Sequence, residues 1–283
     1  MNPLAHQPIN KRKLLLLCNP GREEDGNYVP AVISVLERYK NYFTSAVGGA
    51  WISSDQEELN EIIEEPDGYD DEGEQTWLFM KIAEICRHAD YSIIVFVGHG
   101  GAHDNMDYVE LSKGKVIPIS SFLAPGPFGA NTKRTVIIDS CRTLIGAEPQ
   151  KLILEQRSFS ADGMLERDLC REYYNRQIQD CEPHIELIQS TRYGEPALVN
   201  TARTGTAFSD AVFQLFDEMT PQWNQQALGM RNGQLSISMN SLIPEIKGGM
   251  QEYHQVPQFR PLPEGYGDGN YPIYSVWRPV ERI

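Results

Sequence analysis

Three short, unbroken apolar runs punctuate the chain: KLLLLCNP at 13–20, SIIVFVG at 92–98 and TVIID at 135–139. Such runs, closed by glycine or by Asn-Pro-Gly, fit strands buried on both faces. Between the first two the period changes. After Pro30, which opens a helix, Val32, Val35, Leu36, Tyr39 and Phe43 recur along one helical face. TWLFMKIAEICRH (76–88) puts Leu78, Ile82 and Ile85 on one face and ends in basic residues, as a helix C-terminus prefers. DYVELSKGKVIPI (107–119) reads as a β-hairpin around Lys113-Gly114. Strands alternating with helices predict an α/β fold whose sheet is covered on both faces.

Beyond residue 145 the pattern weakens. GAEPQ interrupts it, and the stretch to 192 is polar with one helix expected near 164–179. ALVNT (197–201) is a strand candidate, FSDAVFQLFDEM (208–219) a helix with Ser209 as its N-cap, and YPIYSV (271–276) a last strand. The expected organisation is a tail over 1–12 and a single domain over 13–283. Its halves, 13–145 and 193–283, are joined by a connection over 146–192.

Charge changes this picture in one place. The net charge is −14, and residues 55–74 alone, with eleven acids and no base, supply −11 of it. The rest is near neutral. A chain without a basic stripe is not expected to bind nucleic acid. No apolar run reaches the roughly 18–20 residues of a membrane span, and LLLLC is too short for a signal-peptide core. Five cysteines (18, 86, 141, 170, 181) without paired metal-ligand spacing predict reduced thiols and a cytoplasmic setting.

The chemistry concentrates where two central runs end. One runs into Gly98-His99-Gly100-Gly101, the other into Asp139-Ser140-Cys141-Arg142, so a His and a Cys lie 42 residues apart, each just past a buried strand. In open α/β sheets such carboxyl ends are where sites are built. If the strands are neighbours, the imidazole can take the thiol proton and later protonate a leaving amine. The N–H groups of Gly100 and Cys141 would then form an oxyanion hole, contributing on the order of a few kcal/mol. Taken singly, a strand-end Cys is more often a small core residue, and a GHGG a turn with a satisfied histidine. It is the pair on this scaffold that carries the reading. His103 is the rival base, placed lower because it lies past the glycines. His88 reads as a helix-end charge, His184 and His254 as loop residues, and Cys18 and Cys86 as core.

IIVFVGHGG followed by VIIDSCR resembles the caspase-like cysteine peptidases, and the Asp-Ser-Cys form is closer to metacaspases and bacterial caspase homologues than to animal caspases. KLLLLCNP is similar to the family's first strand, TARTGTAFSDAV to its small-subunit segment, and HQVPQF (254–259) to its Gln-x-Pro element. The resemblance implies a caspase-like sandwich with a mostly parallel central sheet and helices on both faces. It makes 13–145 the large-subunit-like half and 193–283 the small-subunit-like half. It implies His99 as general base and acid, Cys141 as nucleophile, and Gly100 with Cys141 as oxyanion hole. Asp139 matches the acid of the metacaspase specificity pocket, implying cleavage of protein or peptide substrates after Arg or Lys. The competing role for Asp139 is a strand-end cap. Metacaspases follow the cysteine with His-Ser-Gly; here Arg142-Thr143-Leu144 stands, and Arg142 matches the Cys-Arg of animal caspases.

The resemblance also brings calcium to mind for Asp67, Asp70 and Asp71, but their spacing is not that of an EF-hand loop, and a solvated acidic face is the preferred reading. No cofactor is expected. Within 146–192, where relatives are cut into subunits, Arg157, Arg167, Arg171 and Arg176 are candidate self-processing points, the last three equally readable as helix-surface charges. The function expected is a cysteine endopeptidase, with an activator or effector protein acting in trans as a conceivable partner. The alternatives are a catalytically silent caspase-fold interaction module and a non-proteolytic thiol hydrolase.

Overall fold

The computed structural model describes residues 11–59, 71–104, 106–112, 115–128, 133–140, 166–195, 197, 205–251, 255–262 and 271–278. The three apolar runs are strands β1 (Arg12–Asn19), β3 (Tyr91–Gly98) and β7 (Lys133–Ser140). With β2 (Gln56–Leu59), β8 (Ile185–Gln189) and β10 (Gln258–Leu262) they form a six-stranded sheet in the order β10-β8-β7-β3-β1-β2. Every pairing is parallel except that of the edge strand β10 with β8.

Period-two alternation sorts each run between the two faces. Leu14, Leu16 and Cys18 of β1, Ile93, Val95 and Val97 of β3 and Ile137 of β7 share one core. That core includes Val32, Val35, Leu36, Tyr39 and Phe43 of α1 (Ala31–Thr44), and residues of α5 (Arg167–Asp180) and α6 (Ala207–Gly229). Leu15, Leu17, Ile94, Phe96, Val136 and Ile138 face the other core with Ile82, Ala83 and Cys86 of α2 (Asp71–Arg87). Phe122 of α3 (Ile119–Leu123) and Phe128 of α4 (Pro125–Phe128) close that side. Each such side chain, fully buried, contributes about 1.5–3 kcal/mol. A continuous apolar run is thus what a central strand between two helical layers requires.

Two small sheets flank this frame. β4 (Gly100–His103), β5 (Met106–Ser112) and β6 (Lys115–Pro118) are antiparallel, and β5 and β6 are the hairpin expected around Lys113-Gly114. β9 (Gln234–Ser238) pairs antiparallel with β11 (Pro272–Trp277), the strand expected at 271–276; α7 (Met239–Gly249) follows β9.

Within the acidic segment residues 56–59 form β2 on the edge of β1, and residues 60–70 lie outside the described residues. Three expectations are corrected. The helix expected over 76–88 is already formed at Asp71 and so takes in the last acids of the segment. The polar connection contains β8, whose buried Glu186 and Gln189 disguised a core strand as a polar stretch. The cap of α6 is Thr206; Ser209 is the third helical residue and completes a capping box. Residues 198–201 of the strand candidate lie outside the described residues, and Ala197 is in no strand.

Candidate active site

β1, β3 and β7 end level. Asn19 pairs with Gly98 and Gly98 with Ser140, so three neighbouring parallel strands deliver their last residues to one edge. Gly98 permits this crowding: a Cβ there would lie 2.4 Å from the Asn19 carbonyl oxygen. Asn19 ties the edge together. Its Nδ2 donates to the Glu110 carbonyl of β5 at 2.8 Å, and its Oδ1 accepts from the Gly21 N–H at 3.0 Å.

His99 follows Gly98 directly. Its N–H donates to the Asn19 carbonyl (3.3 Å), its carbonyl accepts from Glu110 (2.9 Å), and its Nε2 lies 2.9 Å from the Asn27 carbonyl oxygen. A carbonyl only accepts, so Nε2 carries a proton and Nδ1 of the neutral ring is the basic nitrogen. Among the described residues Nδ1 has no hydrogen-bond partner. The loop from Asn19 to Val29 braces this arrangement: Val29 N–H donates to the Pro20 carbonyl at 2.7 Å, and Asn27 Oδ1 accepts from Arg22 N–H at 2.9 Å. Gly21 sits at φ 78°, and a Cβ on it would lie 2.6 Å from the Asn27 oxygen and 2.8 Å from His99 Nε2. Gly100 opens β4 opposite Val109. The rival base, His103, ends β4 with its side chain 66% exposed and Nε2 3.4 Å from Asp104 Oδ2.

Asp139, one residue before the end of β7, is 1% exposed and points with Ile137 to the face of α1 and α6. Thr206 Oγ1 donates to its Oδ2 at 2.6 Å, while Oδ1 has no hydrogen-bond partner among the described residues. Burial pushes its carboxyl up to about 7; Thr206, Ser190 and Arg38 pull it down, and Asp210 pushes it further up. Arg38 of α1 pairs with Asp210 of α6, and the buried Tyr39 hydroxyl, which feels the charge of Asp139, has no partner either. Gln255, of the Gln-x-Pro element, is buried and donates from Nε2 to the Ser190 carbonyl at 2.9 Å.

Cys141, Arg142, Arg157, Asp67, Asp70 and His254 lie outside the described residues. The other four cysteines are buried and form no disulfide among the described residues. Burial pushes the Cys86 and Cys181 thiols up to about 11, and that of Cys170 upward, so none of these three is an activated thiol. Arg167, Arg171 and Arg176 are helical, and all three are engaged beyond surface charge, Arg167 through a hydrogen bond from Nη2 to the Trp51 carbonyl at 3.2 Å. Arg171 reaches Asp55 Oδ2 at 2.7 Å, and Arg176 lies over the Trp277 ring at 4.8 Å. His88 follows the end of α2 and is exposed. Asp71 begins α2, and among the described residues no cluster of His, Cys, Asp and Glu could hold a metal ion. No helix among them is long and apolar enough to cross a membrane.

One buried polar cluster escaped the sequence reading. His184, expected in a loop without a partner, stacks on Tyr271 at 4.1 Å, with Nδ1 2.8 Å from the Glu182 carbonyl and Nε2 3.2 Å from Glu186 Oε1. The spacing of His184 and Glu186 on alternate positions of a strand was the available signal, hidden because β8 itself was missed.

No family model matches the chain, and no curated protein does. Among solved structures it is similar to the crystal structure of caspase-1 from Spodoptera frugiperda, over 90% of this chain and 87% of that one, with a TM-score of 0.50 and 10% sequence identity. At that identity the likeness is one of fold: the chain has a caspase-like α/β fold, its mostly parallel sheet covered by helices on both faces.

Proposed function

We propose that the protein is a cysteine endopeptidase in which His99 and Cys141 act as a dyad. The observation that carries the reading is the register of β3 on β7. Gly98 pairs with Ser140 at the ends of parallel strands about 4.8 Å apart, and the next residues in sequence are His99 and Cys141. His99 Nε2 is engaged by the Asn27 carbonyl, which leaves Nδ1 as the base. Nδ1 takes the thiol proton and the thiolate attacks the substrate carbonyl carbon. The N–H groups of Gly100 and Cys141 receive the resulting oxyanion. The imidazolium then gives its proton to the leaving amine as the C–N bond breaks, and a thioester remains. Water, deprotonated by the same imidazole, hydrolyses that thioester and frees the thiol.

The substrate class follows from Asp139. A buried carboxyl with one oxygen lacking a partner accepts a guanidinium or ammonium better than it accepts an acid, so the reading is cleavage after Arg or Lys. Hydrolysis of Arg- and Lys-linked fluorogenic peptides by the wild type and by Cys141→Ala tests it. Cleavage that disappears in the variant is expected. Cleavage that persists, or is absent under every condition including millimolar calcium, overturns the reading.

A further inference from the structure

Thr206 has a single hydroxyl proton, and its surroundings determine where that proton points. The N–H of Ser209 donates into Thr206 Oγ1 at 3.0 Å, as the capping box of α6 requires. The Ser209 hydroxyl accepts from the Thr206 N–H at 3.1 Å and places its own proton on the Thr206 carbonyl, also at 3.1 Å. Two acceptors then lie within reach of the Thr206 proton, Ser209 Oγ at 3.0 Å and Asp139 Oδ2 at 2.6 Å, and the shorter contact, to a carboxyl oxygen, is the stronger one. An ordinary N-cap uses its hydroxyl as an acceptor and leaves the proton to solvent. Here the proton is buried against a carboxyl, at the positive end of a 23-residue helix.

We infer that Thr206 is a specificity-positioning residue: its hydroxyl holds Oδ2 of Asp139 so that Oδ1 alone is presented to a cationic side chain of the substrate. The inference rests on the peptidase reading and deepens it. Two observations point the same way. Among the described residues, Oδ1 and the Tyr39 hydroxyl are both buried without hydrogen-bond partners on the face where α1 and α6 meet the sheet. Of the charged groups near Asp139, Arg38 pairs through Nη1 with Asp210 and makes no hydrogen bond to the Asp139 carboxyl among the described residues. Without the Thr206 hydroxyl, the carboxyl loses its closest donor, and of the two hydroxyls that favour its ionised form only that of Ser190 remains. The effect should fall on binding of the basic side chain and spare the acyl-transfer steps.

The test compares the wild type with Thr206→Val, Thr206→Gly and Thr206→Ser on peptides ending in Arg or in its neutral isostere citrulline. Glycine caps a helix nearly as well as threonine, so Thr206→Gly separates loss of the hydroxyl from loss of the cap. Both hydroxyl-free variants are expected to raise KM for the Arg peptide about tenfold with kcat within about twofold, as loss of one charge-assisted hydrogen bond implies. KM for the citrulline peptide should stay put, and serine should restore the wild-type value. If the wild type cleaves the Arg peptide and Thr206→Gly matches it, the inference fails alone. It also fails alone if KM rises equally for both peptides, which would mark a structural role. If the wild type cleaves neither peptide, the peptidase reading fails and takes this inference with it.

Discussion

The sheet carries two buried acids, one near each end, and they are treated differently. Glu186, near the start of β8, has both oxygens in use. Oε1 accepts from the Tyr271 N–H at 2.7 Å and faces His184 Nε2 at 3.2 Å, while Oε2 accepts from Thr135 Oγ1 at 3.3 Å. The Tyr91 hydroxyl extends the chain to Thr135 at 2.8 Å. Asp139, near the end of β7, is held on Oδ2 by Thr206 and has no hydrogen-bond partner on Oδ1 among the described residues. Burial raises both carboxyls. The histidines repeat the contrast: both ring nitrogens of His184 are engaged, but only Nε2 of His99. A closed polar cluster specifies a fold, whereas an open one calls for an explanation, which for Asp139 is the proposed substrate cation.

The histidines give the largest expected separation. His99→Ala should lower kcat/KM on Arg peptides about 10³–10⁴-fold and leave thermal stability close to wild type, because it removes the general base from a half-buried ring. His184→Ala should do the reverse. It strips a partner from buried Glu186 and should cost about 3 kcal/mol or more in urea unfolding, with little change in kcat/KM of the folded enzyme. Equal losses of activity in the two variants would erase the distinction.

Amide substitutions probe the acids themselves. In Asp139→Asn the carbonyl oxygen can keep the Thr206 hydrogen bond while the NH2 group takes the position that has no partner, so no contact is lost and a buried charge is removed. Stability at pH 8 should rise, and cleavage after Arg or Lys should fall about 10²–10³-fold, the usual loss when one side of a buried charge pair is removed. Glu186→Gln instead turns an NH2 group toward groups that donate, and should cost about 1–3 kcal/mol with specificity unchanged. A destabilised Asp139→Asn would mean that Asp139 is a strand-end cap after all.

These contrasts also explain what could be read in advance. The apolar runs announced β1, β3 and β7 because strands between two helical layers admit little else, and with them came the edge that carries His99. β8 stayed hidden because its inward positions include Glu186 and Gln189, polar residues buried only because Tyr271 and Arg260, 71 or more positions later in the chain, meet them. Thr206 and Ser209 are both residue types that cap helices, and the start of α6 at Ala207 is what tells them apart. The brace on His99 was equally unreadable: Asn27 is 72 residues away and acts through its backbone carbonyl.

That brace supplies the next prediction. Gly21→Ala would press a methyl between the Asn27 oxygen and His99 Nε2 at a left-handed backbone position. The imidazole must turn or the loop must shift. A displacement near 1 Å in a reacting group costs about 10²-fold, so kcat should fall by about that much while KM changes little. Gly26→Ala, in the same loop at φ 69° but with open space around it, is the control, and should affect only local backbone stability. If both substitutions reduce kcat alike, the Asn27 contact does not position the base.

The smallest effect discriminates most finely, because it isolates the charge on Asp139 from the chemistry. Its carboxyl, pushed up to about 7, is neutral in acid and ionised in base, and only the ionised form attracts a cation more than a neutral side chain. The acyl-transfer steps are common to Arg and citrulline peptides, so the ratio of their kcat/KM values removes them. That ratio should fall about tenfold from pH 8 to pH 6, the change in ionised fraction of a group with a midpoint near 7. The stability sign runs oppositely. The folded protein holds a proton that the unfolded chain has already lost above about 4, so this group's contribution to stability declines as pH rises from about 4 to about 7 and then levels. Asp139→Asn should flatten both trends. Glu186→Gln should leave the substrate ratio as steep as in the wild type, because that acid's oxygens already serve Tyr271, His184 and Thr135 and face no substrate. A ratio flat with pH in the wild type would mean that the cation is received by a different group.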